Sequence, residues 1–361
     1  MLALITAIAF VPWCASRSDG GGSPAETAAA GREPSAEGCA AAVASRSLRA
    51  RLALTLMVGV DGDAPADAMA LLDADLRPGG LFVRGGRAIW DDRSLASRPS
   101  DGLPLLVAVD DEGGRVQPME GVLDDLPSAA RLAEQSPQEL QERGAERGAD
   151  LRELGINVVF GPVVDVGGAG GIGDRSFGAT SDVVTSKAGA YAAGLRQAGI
   201  LPVLKHFPGQ GHADADTHDG PATVPPLDLL RTSDLVPYDA LVSDRSTGVM
   251  VGHLDVPGLT EEGVPASLSP AAVGLLRGAY EFDGLVVTDD LAAMEAVLSR
   301  FDVPEAAERA LAAGADLVLL SQPADVGPVL DRLEDAVNVG RIPDRRLGAA
   351  LARIVAVGCP P

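Results

Sequence analysis

Eight segments of the chain are nearly continuous in apolar residues: LALTLMV (52–58), GLFV (80–83), PLLVAV (104–109), NVVFGPV (157–163), PVLKHF (202–207), GVMVGH (248–253), GLVVT (284–288) and DLVLL (316–320). Runs this short suit strands. Their lack of polar–apolar alternation predicts burial on both faces, as for parallel strands lying under helices. The stretches between them read as helices, and several close on a glycine. Leu151–Leu154 is followed by Gly155 and INVVF, Leu195–Ala198 by Gly199 and ILPVL, and Leu311–Ala313 by Gly314 and ADLVLL. A glycine just past a helix supplies the left-handed residue that releases the chain into a strand. Ser136, Pro137 and Glu139 spell the N-cap, N1 and N3 positions of a capping box. Eight such units within residues 39–361 predict an α/β fold, a TIM (β/α)8 barrel forming a single domain. A doubly wound open sheet is the alternative. The first strand is the least defined, because Ser47 to Leu56 also reads as helix.

Upstream of the barrel, Met1 to Pro12 (MLALITAIAFVP) is apolar and of the length of a signal-peptide core. Residues 1–14 are expected to be an export signal ending in Cys14, a lipidation candidate. Residues 15–38, rich in Ser, Gly, Ala and Glu, are expected to be a flexible linker. The protein is therefore expected to be exported, as a secreted protein or a cell-surface lipoprotein. Cys39 and Cys359 bracket the folded part, and in an exported protein this pattern suggests a disulfide. No apolar run reaches the ~18 residues that span a bilayer, so membrane contact is expected only through a lipid anchor.

Composition narrows the partners. Lys and Arg total 29 and Asp and Glu 51, a net charge of −22. Nucleic acid is excluded as the main partner, because binding phosphates takes clustered positive charge. Aromatic residues are only 3% of the chain. Long polymer clefts need stacking platforms, so a small or terminal ligand is expected. The protein is expected to act as a monomer, and nothing in the sequence calls for a cofactor.

Polar residues cluster immediately after the predicted strands: Asp110, Asp111 and Glu112; Lys205 and His206; His253 and Asp255; Asp289 and Asp290. A barrel gathers all strand C-termini on one face. A single acidic residue there is as often a helix cap, but four such clusters point to a site. Lys205 to His218, KHFPGQGHADADTH, holds three of the four histidines and one of the two lysines of the chain. Pro208, Gly209 and Gly211 shape it as a loop leaving the barrel rim. Asp216 stands two residues before His218, a carboxylate–imidazole pair suited to general acid/base work. Two other readings use the same residues. His206, His212, Asp214, Asp216 and His218 are of metal-ligating type, and the domain is also readable as a non-catalytic sugar-binding lipoprotein. For other residues the expected roles are structural. His253 is expected to cap its strand, His212 to face solvent, and Asp165 to fix the loop after the fourth strand. The glycine-rich run 167–173 opens no clear helix and is not read as a phosphate cradle.

The KHFPGxGx4DxH pattern of Lys205 to His218 resembles the signature loop of family 3 glycoside hydrolases, in their β-N-acetylglucosaminidase branch. VDDEGGRVQ (109–117), GPVVDV with IGDRSFG (161–178), PASLSP (265–270) and VVTDDL (286–291) resemble further blocks of that family in the same order. The resemblance implies a retaining exo-β-N-acetylglucosaminidase acting on a small amino-sugar glycoside or muropeptide-type substrate, without cofactor or metal. It assigns Asp289 as nucleophile and His218, partnered by Asp216, as acid/base. It assigns Asp110, Arg175, Lys205 and His206 to the hydroxyls of the terminal sugar; Arg115 lies in the same block as Asp110 but is expected to be structural. Phosphate in place of water as acceptor, giving a phosphorylase, and a β-glucosidase on the same fold stay open. Gln210 stands where the family loop often has a second histidine, and Pro118 where it often has a basic residue. Leu291–Met294 carries one residue more before the methionine, which leaves the choice between Asp289 and Asp290 open.

Overall fold

The computed structural model describes residues 36–91, 95, 102–242, 246–322 and 326–359. The expected signal, Cys14 and most of the expected linker lie outside the described residues. Its last three residues do not: the helix Ala36–Ala44 begins within it.

Among the described residues there are ten strands: β1 (Leu56–Val60), β2 (Gly80–Val83), β3 (Leu106–Val109), β4 (Val158–Val159), β5 (Leu201–Phe207), β6 (Ala222–Thr223), β7 (Gly248–Val251), β8 (Leu254–Asp255), β9 (Val286–Thr288) and β10 (Val318–Leu320). Eight of them pair in parallel in the order β10-β1-β2-β3-β4-β5-β7-β9. The two ends of that order join through Thr288 N to Leu317 O and Leu291 N to Leu319 O, both 3.1 Å. The sheet is thus a TIM barrel. The short pair β6–β8 lies in the excursions after β5 and β7.

Two apolar layers hold the barrel. Inward positions, among them Met57, Phe82, Leu106, Phe160, Val203, Met250, Val287 and Leu319, fill its interior, and Phe82 stacks on Phe160 at 5.6 Å between centroids. Alternate residues of the same strands, such as Val58, Leu81, Val107 and Val249, meet the surrounding helices. Burial on both faces follows, which is why the runs do not alternate. Ser136 caps Pro137–Glu153 with the full reciprocal capping box. Gly155 and Gly199 take the left-handed φ of 86° and 77° needed to turn from helix to strand.

The first strand is corrected. Residues 52–53 belong to the helix Leu48–Ala53, whose N-cap Ser47 accepts from Ala50 N, and the strand runs 56–60 instead. LRARLA is a sequence of good helix formers behind a serine cap, so local propensity claims the front of that apolar run. The fourth strand is shorter than expected because Pro162 lacks a donor for the ladder.

Cys39 and Cys359 are disulfide-bonded, with Cα atoms 6.4 Å apart and 320 residues between them in sequence. The bond joins Ala36–Ala44 to the final helix Asp344–Gly358, whose end packs on Pro104 below β3. This is the face away from the strand C-termini. A Cys39→Ser, Cys359→Ser double variant is expected to lose about 2–5 kcal/mol of stability, read as a lower urea midpoint.

Candidate active site

A cavity of about 230 Å³ opens at the C-terminal ends of the strands. Asp110, Arg175, Lys205, His206, His218 and Asp289 all line it, together with Gln210, Thr217, Asp290 and Ser321, and with Phe82, Met250, Met294 and Leu319 as apolar wall. It is smaller than the ~300–1,000 Å³ typical of sites for drug-sized ligands, a size for one sugar ring rather than an oligosaccharide.

The three acidic residues after β3 divide by direction. Asp111 turns outward and is held by Arg147 through two bonds of 2.7 and 2.8 Å. Asp110 and Glu112 share the other side, as alternate residues of an extended chain do. Glu112 takes a two-bond grip from Arg175 (2.7 and 2.9 Å) and a third contact from Lys205 Nζ at 2.6 Å. Lys205 Nζ also donates to Asp110 at 2.5 Å. Two carboxylates and two cations thus form a charge-balanced set. Burial pushes the Glu112 carboxyl up, but Lys205 and Arg175 outweigh it and bring it down to about 2. Burial and the Glu112 charge push Asp110 up against the pull of Lys205, with a net rise.

Loss of one partner from a buried set leaves the others uncompensated. Glu112→Gln is therefore expected to cost about 3–5 kcal/mol in urea unfolding at neutral pH. The folded pKa lies below the ordinary 4.5, so this contribution is complete above that value and fades as pH falls toward about 2. The variant should lack that part of the acid dependence.

His206 follows Lys205 at the end of β5, and the Lys205–His206 and Phe207–Pro208 peptides are cis. Buried Asp165, in the loop after β4, accepts from His206 N at 3.1 Å and Gln210 N at 2.7 Å, and its second oxygen meets His206 Nδ1 at 2.7 Å. Asp165 is expected to fix its own loop after the fourth strand; its carboxylate instead ties that loop to the end of β5 and the loop beyond it. Arg175 Nη2 lies 3.4 Å from His206 Nε2. Asp165 and Arg175 thus hold the His206 ring from its two nitrogens.

The aspartates after β9 divide in the same way as those after β3. Asp290 is spent on structure: one oxygen accepts from Ala292 N and Ser321 N, both at 2.9 Å, and the other from Ser321 Oγ. Among the described residues, the Asp289 side chain accepts only from Asp290 N, at 2.9 Å. Burial would raise the Asp289 carboxyl, but His206, His253 and Lys205 more than offset it and hold it below the ordinary aspartate value. His253 does not line the cavity. Its Nε2–H donates to Asp290 O at 2.9 Å and its Nδ1 meets Ser267 Oγ at 2.7 Å, and burial lowers its pKa. It secures the backbone that carries Asp289.

Asp216 stands behind His218 rather than in the cavity wall. Its Oδ1 meets His218 Nδ1 at 2.8 Å and accepts from His218 N at 3.0 Å. Burial raises the Asp216 carboxyl, but these bonds and nearby Arg175 bring it below its ordinary value. With Nδ1 engaged, Nε2 is the nitrogen free to exchange protons with a ligand. His212 faces solvent, as expected, while Asp234 holds its Nδ1 at 3.0 Å. The histidines of this loop thus turn to three different aspartates, and among the described residues no three His, Cys, Asp or Glu side chains converge as metal ligands.

The sequence reads Met250 and Met294 as core or pocket-floor packing, and both line the cavity. It gives no binding or positioning role to Glu112, Thr217, Phe82 or Leu319. Glu112 was legible in its i, i+2 relation to Asp110, and Phe82 and Leu319 in their inward register at strand ends.

The sequence matches the family model described as the glycosyl hydrolase family 3 N-terminal domain over residues 86–357. It is 44% identical over 358 residues to the β-hexosaminidase LpqI of Mycobacterium tuberculosis, covering 96% of this chain and 91% of that one. The fold superposes on a family 3 glycosyl hydrolase of Mycobacterium smegmatis with a TM-score of 0.83 at 47% identity, over 88% of this chain and 99% of that one. It also superposes on a family 3 β-N-acetylglucosaminidase of Paenibacillus with a TM-score of 0.80 at 32% identity, over 87% of this chain and 62% of that one. The chain belongs to glycosyl hydrolase family 3.

Proposed function

We propose that this glycoside hydrolase is a retaining exo-β-N-acetylglucosaminidase that removes terminal β-linked N-acetylglucosamine. The observation that carries the reading is one small cavity bounded by a carboxylate with few ties, Asp289, and by an imidazole braced from behind, His218. The charge-balanced Asp110–Lys205–Glu112–Arg175 set suits the hydroxyls of a neutral sugar, since it offers donors and acceptors without net charge. The names borne by the relatives support the amino-sugar class.

In the first step an Asp289 oxygen bonds to the anomeric carbon as the bond to the leaving oxygen breaks. His218 Nε2–H gives its proton to that oxygen. In the second, Nε2 takes a proton from water, whose oxygen bonds to the anomeric carbon and frees Asp289. Two displacements retain configuration. Asp216 steadies the imidazolium that precedes the first displacement and follows the second, and orients the neutral ring between them. An exported enzyme of this kind would trim cell-wall fragments.

The test is release of the chromophore from an aryl β-N-acetylglucosaminide and from the matching β-glucoside. Preference for the first is expected. Turnover of neither would sink the reading, and preference for the glucoside would move the specificity.

A further inference from the structure

The glycine run 167–173 has no role in the chemistry above, yet the acid/base loop lies directly on it. A Cβ on Gly170 would meet Ala213 Cβ at 2.7 Å and Gln210 O at 2.9 Å. One on Gly171 would fall inside the van der Waals radius of the Asp216 carboxylate. Gly171 also has a φ of 79°, so a side chain there is strained as well as obstructed. Arg115 holds this run in place, its Nη2 donating to Gly171 O at 2.6 Å and Ile172 O at 2.8 Å.

Between Asp216 and His218 sits Thr217, fully buried while both neighbours are partly exposed. Gln210 Nε2 donates at once to Gly170 O at 2.8 Å and to Thr217 Oγ1 at 3.3 Å. Thr217 O accepts from Ala296 N at 3.1 Å, just beyond the segment that carries Asp289. Thr217 thus ties the loop to the nucleophile's loop directly and to the glycine run through Gln210.

We propose that the bare backbone of 167–173 is a docking floor for the acid/base loop, and that Gln210 and Thr217 fasten the loop to it with His218 facing the leaving oxygen. Gly171, Gln210 and Thr217 are positioning residues. This rests on the reading of His218 as acid/base and extends it to what holds that group in place. An alkoxide leaves only when protonated, whereas dinitrophenolate leaves unaided, so the proposal has a specific kinetic signature.

In Gly171→Ala and Thr217→Val, kcat/KM for an alkyl or disaccharide N-acetylglucosaminide is expected to fall roughly 10- to 100-fold, part of the 10²–10⁴ that a placed acid supplies. On the dinitrophenyl glycoside, kcat/KM should change by no more than about threefold, because bond cleavage there draws little on the acid. Azide, a nucleophile that needs no base, should restore kcat on that substrate. Thr217→Ser, which keeps the hydroxyl, should behave as wild type. Equal loss on both substrates, or no loss on the alkyl glycoside, overturns the proposal. His218→Ala in parallel separates the two readings. If it shows no leaving-group selectivity, the acid/base assignment falls and takes the floor with it. If it does and neither Gly171→Ala nor Thr217→Val follows, the floor alone is overturned.

Discussion

Asp289→Ala is expected to lower kcat on any N-acetylglucosaminide by on the order of 10⁴-fold or more, the scale seen when a covalent nucleophile is removed. The loss should come without unfolding. Asp289 makes few of the bonds that hold its own loop, whereas Asp290 beside it ties Ala292 and Ser321 in place. Asp290→Ala is the informative contrast, since it should cost stability as well as rate. In the wild-type enzyme the Asp289 carboxyl sits below the ordinary 3.8. The nucleophile therefore stays ionised down to that pH, and any acid loss of kcat/KM that it sets lies lower still. Initial rates and urea melts of the two variants check the assignment. An Asp289→Ala enzyme that turns over normally would end it.

His218→Ala is expected to cost about 10²–10⁴-fold on substrates with poor leaving groups. Half-exposed at the cavity mouth, its ring carries little of the packing, so the melting temperature should hold. On a dinitrophenyl glycoside the first step should be nearly spared, and the glycosyl-enzyme should accumulate because no base activates water. A burst of dinitrophenolate followed by slow turnover, with azide raising the slow phase, is the expected trace. A uniform loss across leaving groups would mean that His218 is not the proton donor.

The parts of the site that were legible in sequence are those where one residue does one job at a strand end. Lys205, His206 and Asp289 follow apolar runs, and a barrel brings such positions together whatever their separation along the chain. Glu112 was harder because its neighbours Asp110 and Asp111 are chemically alike, and only the direction of each side chain separates ligand contact from helix anchoring. Gly170 and Gly171 could not be read at all. Their purpose is a close approach by a loop some forty residues on, and local sequence carries no trace of what will lie against it. The first strand failed for a local reason, since LRARLALTLMV serves helix and strand in succession with no glycine or proline between them.

The charge-balanced quartet around Lys205 has one more consequence. The molecule as a whole is strongly anionic, at −22, but the quartet adds no net charge beside the ligand it grips. Dissolved salt, which screens over ~10 Å at 0.1 M, acts on the outer shell and leaves the grip on a neutral ring unchanged. The shell repels polyanions at long range, and added electrolyte lifts that barrier for acidic aglycones alone.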